Sequence, residues 1–197
     1  LLLISFIGYL QFQYAVFGNR YGLATFFPMV IFFCTAYYFD HLGILGLAIT
    51  NLAAWLGLTV TPTRLLSDND FNSGSIIITA VLLGILLLVV GQITLQKSFK
   101  RHFAFTYTNF GLHIFYVAAL AGMFHFEGIY LLWFAVLALS SYLFYQKAIQ
   151  EKSFYIIVVS AIYSYIALSY VVIQLLAHLN HFDMGSIYLG FIYFIVS

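Results

Sequence analysis

The sequence predicts an all-α fold, a polytopic bundle of about eight transmembrane helices joined by short antiparallel hairpins. Hydrophobic residues make up 64% of the 197 residues and charged residues only 7%, whereas soluble domains carry roughly 25% charged residues. The mean hydropathy is +1.03, and a water-soluble globule of this size has too little interior to hide so much apolar surface. The apolar residues form long runs, whereas barrel strands alternate apolar and polar residues.

Eight segments meet or approach the length of a membrane crossing, because the hydrocarbon core of about 30 Å takes roughly 20 apolar helical residues. They are Leu1–Phe17, Tyr21–Phe39, Leu42–Val60, Ser75–Leu95, Phe103–Phe124, Gly128–Tyr145, Phe154–Ala177 and Gly185–Ser197. We expect them to form a single transmembrane domain over residues 1–197. The first residue is not Met and the last residues are still apolar, so we also expect the natural chain to continue at one or both ends.

The lysines and arginines predict the orientation of the bundle, since these residues concentrate in the short cytoplasmic loops of membrane proteins. When alternate connections are grouped, one side of the membrane holds five cations and the other holds two. The five are Lys97, Lys100, Arg101, Lys147 and Lys152, and the two are Arg20 and Arg64. We therefore expect the loops 96–102 and 146–153 to be cytoplasmic, and the N-terminal end to lie inside.

Small residues recur at spacings of three or four in two of the predicted helices, a pattern that allows close approach of helix backbones in lipid. In the third helix they are Gly43, Gly46, Thr50, Ala53 or Ala54, and Gly57, and in the fourth they are Ala80, Gly84 and Gly91. We expect both stripes to face neighbouring helices.

A polar stripe runs along the fifth predicted helix, and its members share one face because they are spaced by three and four. They are Thr106, Asn109, His113 and Tyr116, and a possible partner face on the seventh helix carries Ser160, Ser164 and Gln174. Interhelical hydrogen bonds of about 0.6 kcal/mol each are the favoured explanation. A solute path or proton relay is the alternative, because ionisable residues inside membranes often mark such paths. No Asp, Glu, Lys or Arg lies deep in a predicted span, which weakens an ion-coupled mechanism.

A second polar cluster falls on the predicted outer side, and its nitrogen and oxygen donors are of the types that bind zinc. It consists of His125, Glu127, His178, His181 and Asp183. The spacing matches no known zinc signature, and solvated side chains at the membrane interface are the favoured explanation. No cofactor is strongly implied.

The single cysteine, Cys34, rules out an internal disulfide, and the net charge of +1 argues against nucleic acid as a partner.

Two runs of the sequence resemble a family of predicted bacterial membrane proteins, the domain of unknown function 2157. They are LSDNDFNSGSIIITAVLLGILLLVVG and KSFKRHFAFTYTNFGLHIFYVAAL. The likeness lies in the order of aromatic-rich, glycine-punctuated helices with very short hairpins, and it extends over most of the chain. The resemblance implies a polytopic protein of the bacterial inner membrane. It transfers no activity and no site residue.

The function that we expect is that of a non-catalytic membrane subunit or scaffold, whose partners are the lipid bilayer and other membrane subunits. The sequence carries no phosphate-binding glycine loop, no GxSxG elbow and no HExxH motif, so an enzyme is disfavoured. A transporter or channel for a small or lipophilic solute is the first alternative. A membrane enzyme with an outward-facing metal site is the second.

Overall fold

The computed structural model describes residues 2–14, 16, 22–60, 74–97 and 100–179. Over these residues the regular structure is helical and no strand occurs, so the predicted all-α class is confirmed. The α-helices in this part of the chain are α1 (Leu2–Tyr14), α2 (Gly22–Phe39), α3 (Leu42–Val60), α4 (Gly74–Gln96), α5 (Phe103–His125), α6 (Tyr130–Glu151) and α7 (Phe154–Leu179), with a 3₁₀ turn at Glu127–Ile129 ahead of α6.

Six of the described helices are long and apolar enough to cross a membrane. These spans are Gly22–Phe39, Leu42–Thr59, Gly74–Gln96, Phe103–His125, Glu127–Gln150 and Phe154–Leu175, and they indicate an integral membrane protein. The predicted total of about eight is not confirmed. The described helix α1 has 13 residues, about 20 Å of helix, and the segment Gly185–Ser197 lies outside the described residues.

The chain divides into two compact units, Leu1–His125 and Phe126–Ser197. In the first unit, α4 and α5 pack backbone against backbone. A Cβ on Gly84 would lie 2.8 Å from Cα of Phe115, and one on Gly111 would lie 3.0 Å from the carbonyl oxygen of Gly84. A Cβ on Gly91 would lie 2.8 Å from Oγ1 of Thr108. The fourth helix therefore uses its small residues as the sequence predicts.

The third helix follows the prediction in part. Gly46 lies against the ring of Phe110 on α5 and Ala53 packs against the core cluster, whereas Thr50 is exposed. The large buried side chains of α3 are Leu45 and Ile49. Larger aliphatic side chains bury more area against the neighbouring helices and fill the space between them. The core cluster that they join combines α2, α3, α4 and α5, and its members are Ala36, Leu45, Ile49, Leu83, Leu87, Phe103 and Tyr107.

Two helices end in the same way, on a charged residue in the left-handed region. Asp40 has φ 58° and the next N–H, of His41, donates to the carbonyl oxygen of Ala36 at 3.1 Å. Lys152 has φ 52°, and the N–H of Ser153 donates to the carbonyl oxygen of Ala148 at 2.9 Å. Both are Schellman motifs, which satisfy the last carbonyl groups of a helix. They explain how α2 and α6 turn directly into the next antiparallel helix.

In the second unit, α6 and α7 form an antiparallel hairpin with an aromatic and polar contact far from its turn. The ring of Tyr130 meets that of Tyr170 edge to face at 6.3 Å, and Nε2 of Gln174 donates a hydrogen bond to Oη of Tyr170 at 2.8 Å. Phe126 stacks on Trp133 with ring centroids 6.0 Å apart.

Candidate functional site

The predicted polar stripe of α5 consists of side chains that are already engaged in packing or polar contacts. Tyr116 is fully buried, with 0% of its surface exposed. Thr106, Asn109 and His113 are half-buried, and Asn109, His113 and Tyr116 all have interaction partners. Both explanations of the stripe, interhelical hydrogen bonding and a solute path, stay predictions.

A groove of about 300 Å³ lies between α4 and α5 beside His113. Its lining residues are Ile76, Ile77, Ala80, His113, Ile114, Val117, Ala118 and Ala121. All except His113 are aliphatic, so the surface of the groove is almost entirely apolar. His113 is the eleventh residue of α5, about 15 Å from its start, which places the imidazole near the middle of the span.

The predicted stripe on α7 divides into three separate arrangements. Ser164 donates a hydrogen bond from Oγ to Oγ of Ser141 on α6 at 2.8 Å. Gln174 bonds to Tyr170 on its own helix. Ser160 is 5% exposed, and among the described residues its Oγ has no hydrogen-bond partner. The predicted contact between this stripe and that of α5 would join the two units and stays a prediction.

A groove of about 250 Å³ runs between α6 and α7 at the Ser141–Ser164 pair. Its other lining residues are Phe134, Leu137, Ala138, Ala167 and Leu168. Sequence reasoning missed Ser141, although the Ser–Ser pair at 140–141, in the middle of an apolar helix, marks a place where two helices can bond through hydroxyl groups.

The predicted metal cluster falls mostly outside the described part of the chain. His125 and Glu127 are exposed. The backbone of His178 belongs to α7, but its side chain and the whole of His181 and Asp183 are not described. Within the described ranges, no three His, Cys, Asp or Glu side chains lie close enough to hold a metal ion. The metal site stays a prediction.

A charged cluster that the sequence did not reveal joins the α2–α3 turn to the α4–α5 connection. Oδ1 of Asp40 lies 2.7 Å from Nζ of Lys100 and 3.0 Å from Nε2 of His102. The hydrogen bond from the Lys100 ammonium, helped by the charge of His102, lowers the pKa of the Asp40 carboxyl. The sequence indicates only that these two connections share one end of the bundle, because alternate connections of an antiparallel bundle lie at the same end.

No protein-family model, curated protein or solved structure matches the chain. The resemblance to the domain of unknown function 2157 therefore stays a prediction. What the chain can do must be argued from its own grooves and polar contacts.

Proposed function

We propose that the chain is a non-catalytic integral membrane subunit or scaffold that assembles with other membrane subunits in the lipid bilayer. The groove between α6 and α7 supports this function best. Only 6% of the 18-residue apolar window within the Glu127–Gln150 span is buried, so packing against α7 leaves most of α6 for lipid or for a partner. Ala138, Ser141, Ser164 and Ala167 line the groove with small side chains, and small residues of this kind let another helix backbone approach closely.

The serine pair explains why an apolar helix can lie in this groove. The hydroxyl of Ser164 donates to Ser141, so this donor is satisfied inside the unit. A partner helix without polar residues therefore covers the pair without leaving the Ser164 proton unbonded, which would cost free energy in hydrocarbon. Close van der Waals contact with the alanines then favours protein over lipid.

We infer that the membrane is a bacterial inner membrane, with the loops 96–102 and 146–153 in the cytoplasm. The resemblance of the sequence and the distribution of its cations support this inference. The contact of Asp40 with Lys100 supports only the shared side of the 40–41 turn and the 96–102 loop, because both lie at one end of the first unit.

Purification of the tagged chain directly into polymer nanodiscs, followed by quantitative mass spectrometry, tests the proposed assembly. We expect one membrane protein in a fixed ratio to the wild-type chain. Ala138→Phe fills the groove and should lower that ratio at least tenfold. Leu139→Phe is the matched control, because Leu139 is the next residue, 62% exposed, and does not line the groove. A wild-type chain recovered alone, or equal recovery of the partner with both variants, would contradict the proposal.

The groove beside His113 favours a second candidate function, the transport of a small lipophilic solute. Its aliphatic lining suits an apolar molecule and not a hydrated ion.

A photoreactive diazirine fatty acid tests this second candidate when it is added to the purified chain in nanodiscs. We expect cross-links on α4 and α5 around Ala80 and Ala121. Ala121→Phe fills the groove and should reduce labelling there at least fivefold. Leu82→Phe adds the same ring at a position on α4 that is 62% exposed and outside the groove, and it should leave labelling unchanged. Equal labelling in both variants would rule out the groove as a binding site.

A further inference from the structure

His41 is the second of the two residues that connect α2 to α3. Its N–H donates to the carbonyl oxygen of Ala36 and closes the end of α2. Its carbonyl oxygen accepts from the N–H of Leu45 at 3.2 Å and begins the hydrogen-bond ladder of α3. A shift of His41 therefore changes hydrogen bonds at the end of α2 and at the start of α3.

The imidazole of His41 also caps the N-terminus of α3. Nδ1 accepts hydrogen bonds from the N–H groups of Gly43 at 3.1 Å and Ile44 at 3.3 Å. These are first-turn N–H groups that have no partner within the helix and need an acceptor from outside it. Gly43 makes room for the ring, because a Cβ there would lie 3.0 Å from Cε1 of His41.

A histidine differs from the usual caps, which are Ser, Thr, Asp and Asn, because it changes charge between about pH 5 and 8. Nδ1 accepts from two N–H groups only while it carries no proton. When it takes up a proton from water, an N–H bond forms at the atom that was the acceptor, and both hydrogen bonds are lost. The imidazolium then also faces the positive end of the α3 dipole.

We propose that His41 makes the α2–α3 connection a pH-responsive joint, in which protonation of the imidazole releases the first turn of α3. Asp40 is the charged residue on the same turn, and it contacts the α4–α5 connection, whose charged or titratable residues are Lys97, Lys100, Arg101 and His102. Asp40 is held by Lys100 and His102, and a positive charge on His102 strengthens that contact. Acidification therefore frees the start of α3 while the two connections stay joined.

Hydrogen–deuterium exchange of the full chain in detergent at pH 7.5 and pH 5.5 tests the joint, with protection factors corrected for the intrinsic rates at each pH. A helix cap is worth about 1 kcal/mol, or roughly a fivefold change in the closed population. We expect protection of the amides of Gly43 and Ile44 to fall about fivefold at the lower pH. The amides at the C-terminal end of α2 and in the α4–α5 connection should keep their protection.

His41→Asn is the matched variant, because an asparagine oxygen caps the same N–H groups and does not titrate. It should keep the protection at both pH values, while His41→Ala should show low protection at both. His102→Gln should retain the wild-type response. Unchanged protection in the wild type, or an equal fall in His41→Asn, would overturn the proposal. Should His41→Ala fail to fold, the comparison between wild type and His41→Asn still decides.

Discussion

The glycines of the described helices differ greatly in the room they leave for a methyl group. At Gly84 a Cβ would lie 2.8 Å from the Cα and the backbone nitrogen of Phe115, and backbone atoms cannot move aside as the end of a side chain can. At Gly46 a Cβ would lie 3.4 Å from Cε2 of Phe110, which is ordinary contact with a ring. One position therefore fixes the separation of two helices, and the other does not.

We predict that Gly84→Ala destabilises the protein by about 1–3 kcal/mol, as overpacking of a filled interface does. Gly46→Ala should be neutral or stabilise by up to about 1 kcal/mol, because alanine favours the helix over glycine. Thermal unfolding in the same detergent measures both. An equal fall in melting temperature for the two variants would show that α4 and α5 are not in backbone contact.

Asp40 joins two helical hairpins, α2–α3 and α4–α5, at one end of the first unit. Its pKa is lowered, first by the hydrogen bond from Lys100 and then by the charge of His102. A lowered pKa in the folded state means that the contact stabilises the fold at a pH above the usual range of a carboxyl, and that this stabilisation is lost as the pH falls below about 4.

We predict that Asp40→Asn lowers the melting temperature at pH 6 and that the difference from wild type shrinks as the pH falls below about 4, because the wild-type carboxyl takes up a proton as the pH falls through its lowered pKa. Asparagine tolerates the left-handed backbone of this position, so the turn itself is kept. Melting curves over this pH range measure the effect. A difference that is the same at pH 6 and pH 3 would mean that Asp40 does not stabilise the fold through its charge.

Helix positions along the chain were predictable, whereas helix faces were predictable only in part. A run of about 20 apolar residues has a large preference for hydrocarbon, so α2 to α7 lie where the sequence predicts spans. In water, a polar face would show which side of a helix is buried. In lipid both faces are apolar, and α3 illustrates the result: Leu45 and Ile49 are buried while Thr50 is exposed.

The contacts that form the candidate sites could not be predicted from the sequence, because each depends on how one helix is aligned along another. Ser164 was predicted as part of a polar face, but its bond to Ser141 requires the α6–α7 alignment that the Lys152 turn sets. In the sequence, Asp40 and His41 are only the short gap between two predicted spans. The contact with Lys100 and the cap on α3 follow from backbone geometry that composition does not encode.

At the scale of the whole molecule, the number of crossings between two connections determines whether they lie on the same side of the membrane. Two described spans, Phe103–His125 and Glu127–Gln150, separate the 96–102 connection from the 146–153 connection. If both cross fully, the two connections share a side, and the 125–127 turn between them lies on the other. Cys34 is the only native cysteine, so its replacement by serine gives a background for labelling.

In that background we predict that Lys97→Cys and Lys147→Cys react with a membrane-impermeant maleimide only from the cytoplasmic side, and that Glu127→Cys reacts only from the outside. Intact cells and inverted vesicles provide the two sides, and a permeant maleimide should label all three variants in both. The lysine positions must share a side because an even number of crossings separates them, and the cations retain that side in the cytoplasm. Labelling of Lys97→Cys and Lys147→Cys from opposite sides would mean that α5 or α6 does not cross the membrane.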